Sequence, residues 1–320
     1  MKKTILSLCI LCCAIVTKAQ SSDQLTAILQ HGDETKAYNG VNAFKTALSN
    51  AADGDVITLS AGTFNGANIT KQLTIYGSGY EENESTGTAV TTINGDLNIE
   101  KDVYVEGVAF AGNTYHYNLT NSAFVKCLMQ RWCARTNLSN VTIQECRFKE
   151  VNFDSHVATN LLIKNSQLSW AYAYDASSSV LVDHCLMKGG TRGDYNNTAT
   201  YTNCIFIYTT SGEYNYTSAG ATMKNCIYVN EATVHPQATV TDCFFVELAD
   251  IFADGENATY TAERTFELQH PETWVGTDGT EIGIRGGDGW SKTPATPVVK
   301  NLQLSVNEKT LNVNYESEVR

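Results

Sequence analysis

Ala199-Thr200-Tyr201-Thr202-Asn203-Cys204-Ile205-Phe206 is followed, after a short interval, by Ala221-Thr222-Met223-Lys224-Asn225-Cys226-Ile227-Tyr228. The two octets share one design. A short alternating run ends on a polar residue, usually Asn or Asp, and a second run opens with Cys. Further copies lie on both sides: Val141 to Phe148, Leu161 to Leu168, Val180 to Met187 and Ala238 to Phe245, with Ala123 to Met129 and Val103 to Phe110 upstream. Counted at Val108, Cys127, Cys146, Ser166, Cys185, Cys204, Cys226 and Cys243, the steps are 19, 19, 20, 19, 19, 22 and 17 residues. That period is too short for a paired-helix repeat and too regular for a sandwich, but it suits one coil of a solenoid built from short strands. Asn tolerates the left-handed conformation that a sharp bend between two strands requires. The residue two beyond each Cys is large and apolar, so the Cys is read as facing inward.

The V-x-x-x-N-C-x-F type of unit resembles the coil of pectate-lyase-like proteins. Upstream, Asn42 to Ala52 reads as a capping helix with Val41, Phe44 and Leu48 on one face. It leads into Gly54 to Phe64 and then Ile69 to Gly79, a succession similar to the opening coils of that superfamily. With Gly276 to Ile284 near the C-terminus, the chain resembles secreted bacterial β-helix proteins of unassigned activity over roughly residues 30 to 290. The resemblance implies an all-β, single-stranded right-handed parallel β-helix, a pectin-lyase-like solenoid, with an N-terminal capping helix and a C-terminal β-hairpin. It implies no reaction, because that fold hosts lyases, hydrolases, adhesins and proteins without known chemistry.

The expected organisation has four parts: a signal peptide over 1–19, an N-terminal segment and capping helix over 20–54, the β-helix over 55–290 and a hairpin or cap over 291–320. Met1-Lys2-Lys3 is a basic start, Thr4 to Val16 is an apolar run too short to span a bilayer, and Thr17-Lys18-Ala19 offers a cleavage site. Export to the periplasm, the cell surface or the medium is therefore expected. Cys9, Cys12 and Cys13 lack the small preceding residue that a lipoprotein site needs. No later segment is apolar for ~18 consecutive residues, so no transmembrane helix is expected. Cleavage would remove Lys2, Lys3 and Lys18 and no acid, taking the net charge from −12 to −15. That charge argues against nucleic acid or anionic lipid as partner. With few prolines and no linker, one continuous body is expected, as a monomer.

Seven cysteines follow the signal segment, and six of them (all but Cys133) fall on the coil register. Such residues stack ~4.8 Å apart up one interior line, where a thiol behaves as a small core residue. Ser166 and Val108 fill the same slot, which suggests that size is what it selects. A buried reduced ladder is the leading reading. Disulfides between neighbouring coils are the alternative, and tetrahedral zinc is disfavoured by the linear arrangement.

Asp183-His184-Cys185 resembles the Asp-His segment of pectate lyases, where the Asp helps to bind calcium. Here Leu181-Val182 replaces the expected tryptophan and no Arg-x-Pro-x-x-Arg segment follows, so His184 is read as a turn residue. Nine residues beyond the ladder position, three successive coils place Asp175, Asp194 and Glu213, with Tyr195 and Tyr214 next to two of them. Trp170, Tyr172, Lys188 and Arg192 lie nearby. The plain reading is a solvated acidic strip with ordinary surface tyrosines. Two functional readings stand beside it. Trp170, Tyr172, Tyr195 and Tyr214 suit the apolar faces of sugar rings. Asp175, Asp194, Glu213, Lys188 and Arg192 are the candidates for acid, base or charge-stabilising work. Stacked carboxylates can also share Ca²⁺, the one candidate ion; no cofactor is otherwise expected. The sequence thus favours a secreted or surface-exposed, non-catalytic binding or structural protein that contacts an extracellular glycan or a surface partner. A polysaccharide lyase or glycoside hydrolase is the alternative. Gly286 to Gly289 read as tight turns where the solenoid ends, and Val298 to Val306 with Leu311 to Tyr315 as a hairpin that forms a C-terminal cap or small appendage covering an otherwise open edge.

Overall fold

The computed structural model describes residues 25–83, 88–153, 156–169, 171–172, 177–188, 198–208, 219–255, 264–294, 298–307 and 310–318, with backbone alone at 171–172 and from 298 onward. Within it the chain is a parallel β-helix. Each coil contributes one strand to each of two long sheets. The parallel part of the first sheet runs from Asp55–Leu59 to Thr239–Thr241, and the second runs from Gly62–Asn65 to Phe244–Phe245. Registers between neighbouring coils match the repeat: Leu162 pairs with Leu181, Leu181 with Thr200 and Thr200 with Thr222.

In seven successive coils one left-handed residue joins the two strands. Lys126, Glu145, Asn165, His184, Asn203, Asn225 and Asp242 all have φ between 44° and 54°. This conformation turns the next residue inward, so Cys127, Cys146, Ser166, Cys185, Cys204 and Cys226 line the bore, all fully buried. All seven described cysteines are free thiols. The slot also selects for more than size. The Cys127 amide donates to Cys146 Sγ (3.3 Å), the Cys146 amide to Ser166 Oγ (3.0 Å) and the Cys185 amide to Cys204 Sγ (3.4 Å). Each side chain therefore accepts the amide that the bend diverts from the sheet ladder, which explains why Ser substitutes for Cys. Cys204→Ser is expected to be nearly neutral. Cys204→Val strands the Cys185 amide and is expected to cost about 1–3 kcal/mol; equal costs for the two variants, measured by chemical unfolding, would refute this assignment.

The N-terminal end is closed. Thr26–His31 pairs antiparallel with both Glu34–Asn39 and Asp55–Leu59, and a helix over Ala43–Asn50 buries Ala43, Phe44, Ala47 and Leu48 against the first coils. Val41, expected on that face, precedes the helix and is 40% exposed. Further along, the bore holds an aromatic stack. The His116 ring lies 4.1 Å from Trp132, which also meets Phe124 and Phe153. Burial holds the His116 imidazole well below its usual range. Burial also lowers His184, against the pull of Asp183, Asp278 and Asp288. The unfolded chain takes up protons on both histidines near pH ~6.5 while the folded chain resists them. Stability is therefore complete above that pH and declines as pH falls through it, by up to ~1.4 kcal/mol per pH unit for each group. Urea midpoints measured downward from neutral pH should show this decline, and His116→Phe should make it shallower.

After Phe244–Phe245 the chain reverses. A single 3-10 turn, Leu248–Asp250, leads into a segment that folds back over the outer face of the second sheet. There Leu186, Ile205 and Ile227 point outward, and Ile251, Phe252, Phe266, Leu268, Trp274, Ile282 and Ile284 cover them as a second core. The same segment then runs as a strap along the left-handed residues toward the N-terminal coils. Asn225 Nδ2 donates to Val275 O (2.8 Å), and Asn203 exchanges hydrogen bonds with Thr277. Asn165 Nδ2 donates to Ile284 O and Gly286 O (3.0 and 2.6 Å). The Ser291 amide donates to Glu145 Oε2 (2.7 Å) and Lys126 Nζ to Thr293 O (2.8 Å). Gly286 to Gly289 thus lie beside the His184 coil rather than where the solenoid ends. A Cβ on Gly286 would fall 1.8 Å from Glu281 O and 2.7 Å from the His184 ring, so only glycine fits there.

Beyond the strap, Val298–Asn307 and Thr310–Glu318 form the expected antiparallel hairpin. Its root follows Pro294, which packs over Gly107 near the N-terminal coils. On the last coil Val240, Phe244 and Phe245 are exposed, Phe245 to 48%.

Candidate functional site

Asp175, Asp194, Glu213, Arg192, Trp170, Tyr195 and Tyr214 lie outside the described residues. Tyr172 is described as backbone, in the short strand Ala171–Tyr172, where it pairs with Asn152. The segments carrying these residues follow three register-matched strands, Gln167–Leu168, Leu186–Met187 and Ile205–Phe206. Lys188 is described and half-buried, its amide donating to Leu168 O (2.8 Å). Burial lowers its amine, and Arg147 and Arg264 lower it further. His184 is a fully buried turn residue held by the strap, its Nε2 3.0 Å from Thr280 Oγ1. Among the described residues, no group of His, Cys, Asp or Glu is placed to hold a metal ion.

The described surface does carry a furrow, on the outer side of the first sheet. Two open depressions lie end to end there. One, of about 480 Å³, is bordered by Thr74, Asp102, Tyr104, Asn121, Ala123 and Asn140. The other, of about 560 Å³, is bordered by Asn160, Leu162, Ser179, Leu181, Thr198 and Thr200. They meet where Asn160 Nδ2 donates to Asn140 Oδ1 (3.1 Å). Sheet register aligns the floors of the two depressions, Thr74, Tyr104 and Ala123 in one and Leu162, Leu181 and Thr200 in the other, as one column with Thr142 between them. At ~4.8 Å per coil this column is roughly 29 Å long.

The rim is a ladder of amides. Asn140 Nδ2 donates to Asn121 Oδ1 (3.4 Å), and Ser179 Oγ donates to Asn160 Oδ1 (3.5 Å). Each rung leaves hydrogen-bonding capacity toward solvent, since an asparagine side chain offers two donors and two acceptor lone pairs. Asp102 ends the row. Burial acts to raise its pKa, yet it accepts from the Asn121 and Thr120 amides and from the Thr120 and Ser122 hydroxyls, and these bonds hold it below its ordinary value. Its two oxygens are held in place as acceptors. Tyr76 and Tyr104 stand 5.8 Å apart at the same end. The Tyr104 phenol is raised by burial and by its hydrogen bond to Glu106 Oε2 (2.8 Å), so it stays protonated. The furrow combines aliphatic floor, aromatic end and repeating amides, a set suited to binding rather than proton transfer.

Sequence reasoning missed this rim, although Asn121, Asn140, Asn160 and Ser179 recur at steps of 19, 20 and 19. The fold defines the chain as a β-solenoid protein. No protein-family model matches the chain, and no curated protein matches it.

Proposed function

We propose that the protein is a non-catalytic β-helix scaffold, exported from the cell, that binds an extracellular polysaccharide lying lengthwise in the furrow. The carrying observation is the amide rim, repeated once per coil beside a register-aligned column of floor residues. Its ~4.8 Å spacing is close to the advance per residue of an extended hexose chain, so successive sugars meet equivalent donors and acceptors. Leu162 and Leu181 suit the apolar faces of sugar rings, and the Tyr76–Tyr104 pair supplies an aromatic end.

The test is a glycan array followed by calorimetry on the best binder. Leu181→Glu and Ala123→Arg alter only the furrow floor, so the fold should survive, as circular dichroism can verify. Each is expected to weaken binding roughly tenfold or more, about 1.4 kcal/mol. Binding that ignores both substitutions but is lost in Tyr195→Ala with Tyr214→Ala would move the site to the acidic-aromatic strip.

A further inference from the structure

The last coil presents to solvent the residues that line the bore elsewhere. Thr239–Thr241 and Phe244–Phe245 are the terminal strands of the two long sheets. Register places Val240 beside Met223 and Phe245 beside Tyr228. Met223 has no exposed surface, whereas Val240 is 43% and Phe245 48% exposed. The thiol column ends at the same place. Cys127, Cys146, Cys185, Cys204 and Cys226 are fully buried, while Cys243, its last member, is half-buried.

Cys243 lies directly against the thiol behind it. The Cys226 amide donates to Cys243 Sγ (3.4 Å), and Cys243 Sγ donates to Thr241 O (3.3 Å). The pairs Lys224 with Thr241 and Ile227 with Phe244 put Cys226 and Cys243 in register on neighbouring coils. Residues so placed have Cα atoms ~4.8 Å apart, inside the range that a disulfide spans. Cys127 with Cys146 and Cys185 with Cys204 share this arrangement, but both members of each pair are closed off in the bore. Access, not spacing, therefore singles out the terminal pair.

We propose that Cys243 is a thiol modification site, the entry point for a small disulfide that leaves a Cys226–Cys243 bond stapling the last two coils. The Cys243 thiolate attacks one sulfur of the reagent, forming a mixed disulfide, and the departing thiolate takes up the proton that Cys243 gave up. Cys226 then loses its proton, attacks Cys243 Sγ and releases the second small thiol. Two protein thiols are oxidised and one external disulfide is reduced to two thiols. The bond would reinforce the coil that ends both sheets, which is otherwise fastened to its neighbour by hydrogen bonds such as Phe244 N to Cys226 O (2.8 Å) and Val246 N to Tyr228 O (3.1 Å). The hydrogen bond with the Cys226 thiol, and burial, push the Cys243 thiol well up, so exchange is slow near neutral pH. The site is independent of the furrow.

The experiment exposes the folded full chain to oxidised glutathione at mildly alkaline pH and maps thiols and disulfides by peptide mass spectrometry. Cys226→Ser and Cys243→Ser should both fold, because Ser166 fills the same slot and accepts the same kind of amide bond. In the wild type, Cys226 and Cys243 should be lost together as one disulfide, at least about tenfold faster than any other thiol reacts. Cys226→Ser should stop at a stable glutathione adduct on Cys243, and Cys243→Ser should leave Cys226 as unreactive as Cys204. Amide hydrogen exchange over residues 239–246 should slow by roughly tenfold in the oxidised protein. A glutathione adduct that persists on wild-type Cys243, a first disulfide elsewhere in the column, a Cys243 link between two chains, or unchanged amide exchange after oxidation would overturn the proposal.

Discussion

Trp132→Ala is expected to lower the stability of the protein by about 3–5 kcal/mol, the range for removing a fully buried large aromatic side chain. Trp132 has no exposed surface and fills the bore beside His116, Phe124 and Phe153. Its neighbours belong to stacked coils fixed by backbone pairing above and below, so they have little freedom to collapse into the space. Trp132→Phe should recover most of the loss, because the indole Nε1 makes no hydrogen bond that phenylalanine would forfeit. Equilibrium unfolding in urea measures both. A cost below about 1 kcal/mol for the alanine variant would mean that the bore is not packed as described.

Ending the chain after Val246 should have a still larger effect. That truncation removes the cover from Leu186, Ile205, Ile207 and Ile227, which lie at or below 4% exposure beneath the returning segment. Each such side chain contributes roughly 1.5–3 kcal/mol when buried, so the loss should exceed about 5 kcal/mol even after allowance for the ordering entropy of the removed segment. The exposed apolar face should also promote self-association. The measurements are light scattering and the urea midpoint of any soluble fraction. A truncated chain as stable and monodisperse as the intact one would show that the second core carries no weight.

The part of the fold legible in the sequence is the part governed by local alternation. Inward residues such as Ile143, Ile163 and Val182 recur because every coil must satisfy the same bore, and the Cys or Ser slot recurs because every bend leaves the same amide to satisfy. The strap obeys no such period. Its partners lie far away in sequence, as with Asn165 and Gly286 or Glu145 and Ser291, and nothing in Gly276 to Pro294 marks which coil each residue meets. The irregular turn slots, Lys126, Glu145 and His184 among the asparagines, look like noise in the repeat. Each is matched to its own group on the strap: a carbonyl for Lys126, an amide for Glu145 and a hydroxyl for His184. For the site, sequence reasoning followed charge and aromaticity toward Asp175, Asp194 and Glu213. It passed over Asn121, Asn140 and Asn160, whose periodicity is equally visible, because amides carry no charge signal. Their significance depends on knowing that the residue before the first strand faces an open furrow.

The most direct test of the proposed function is the side-chain amide spectrum of the full chain, labelled at asparagine nitrogen and titrated with the oligosaccharide that binds best. Furrow binding predicts that the Nδ2 resonances of Asn121, Asn140 and Asn160 shift together with one saturation curve, while those of Asn165 and Asn225, held under the strap, stay fixed. Saturable binding with the three rim amides unmoved would contradict it.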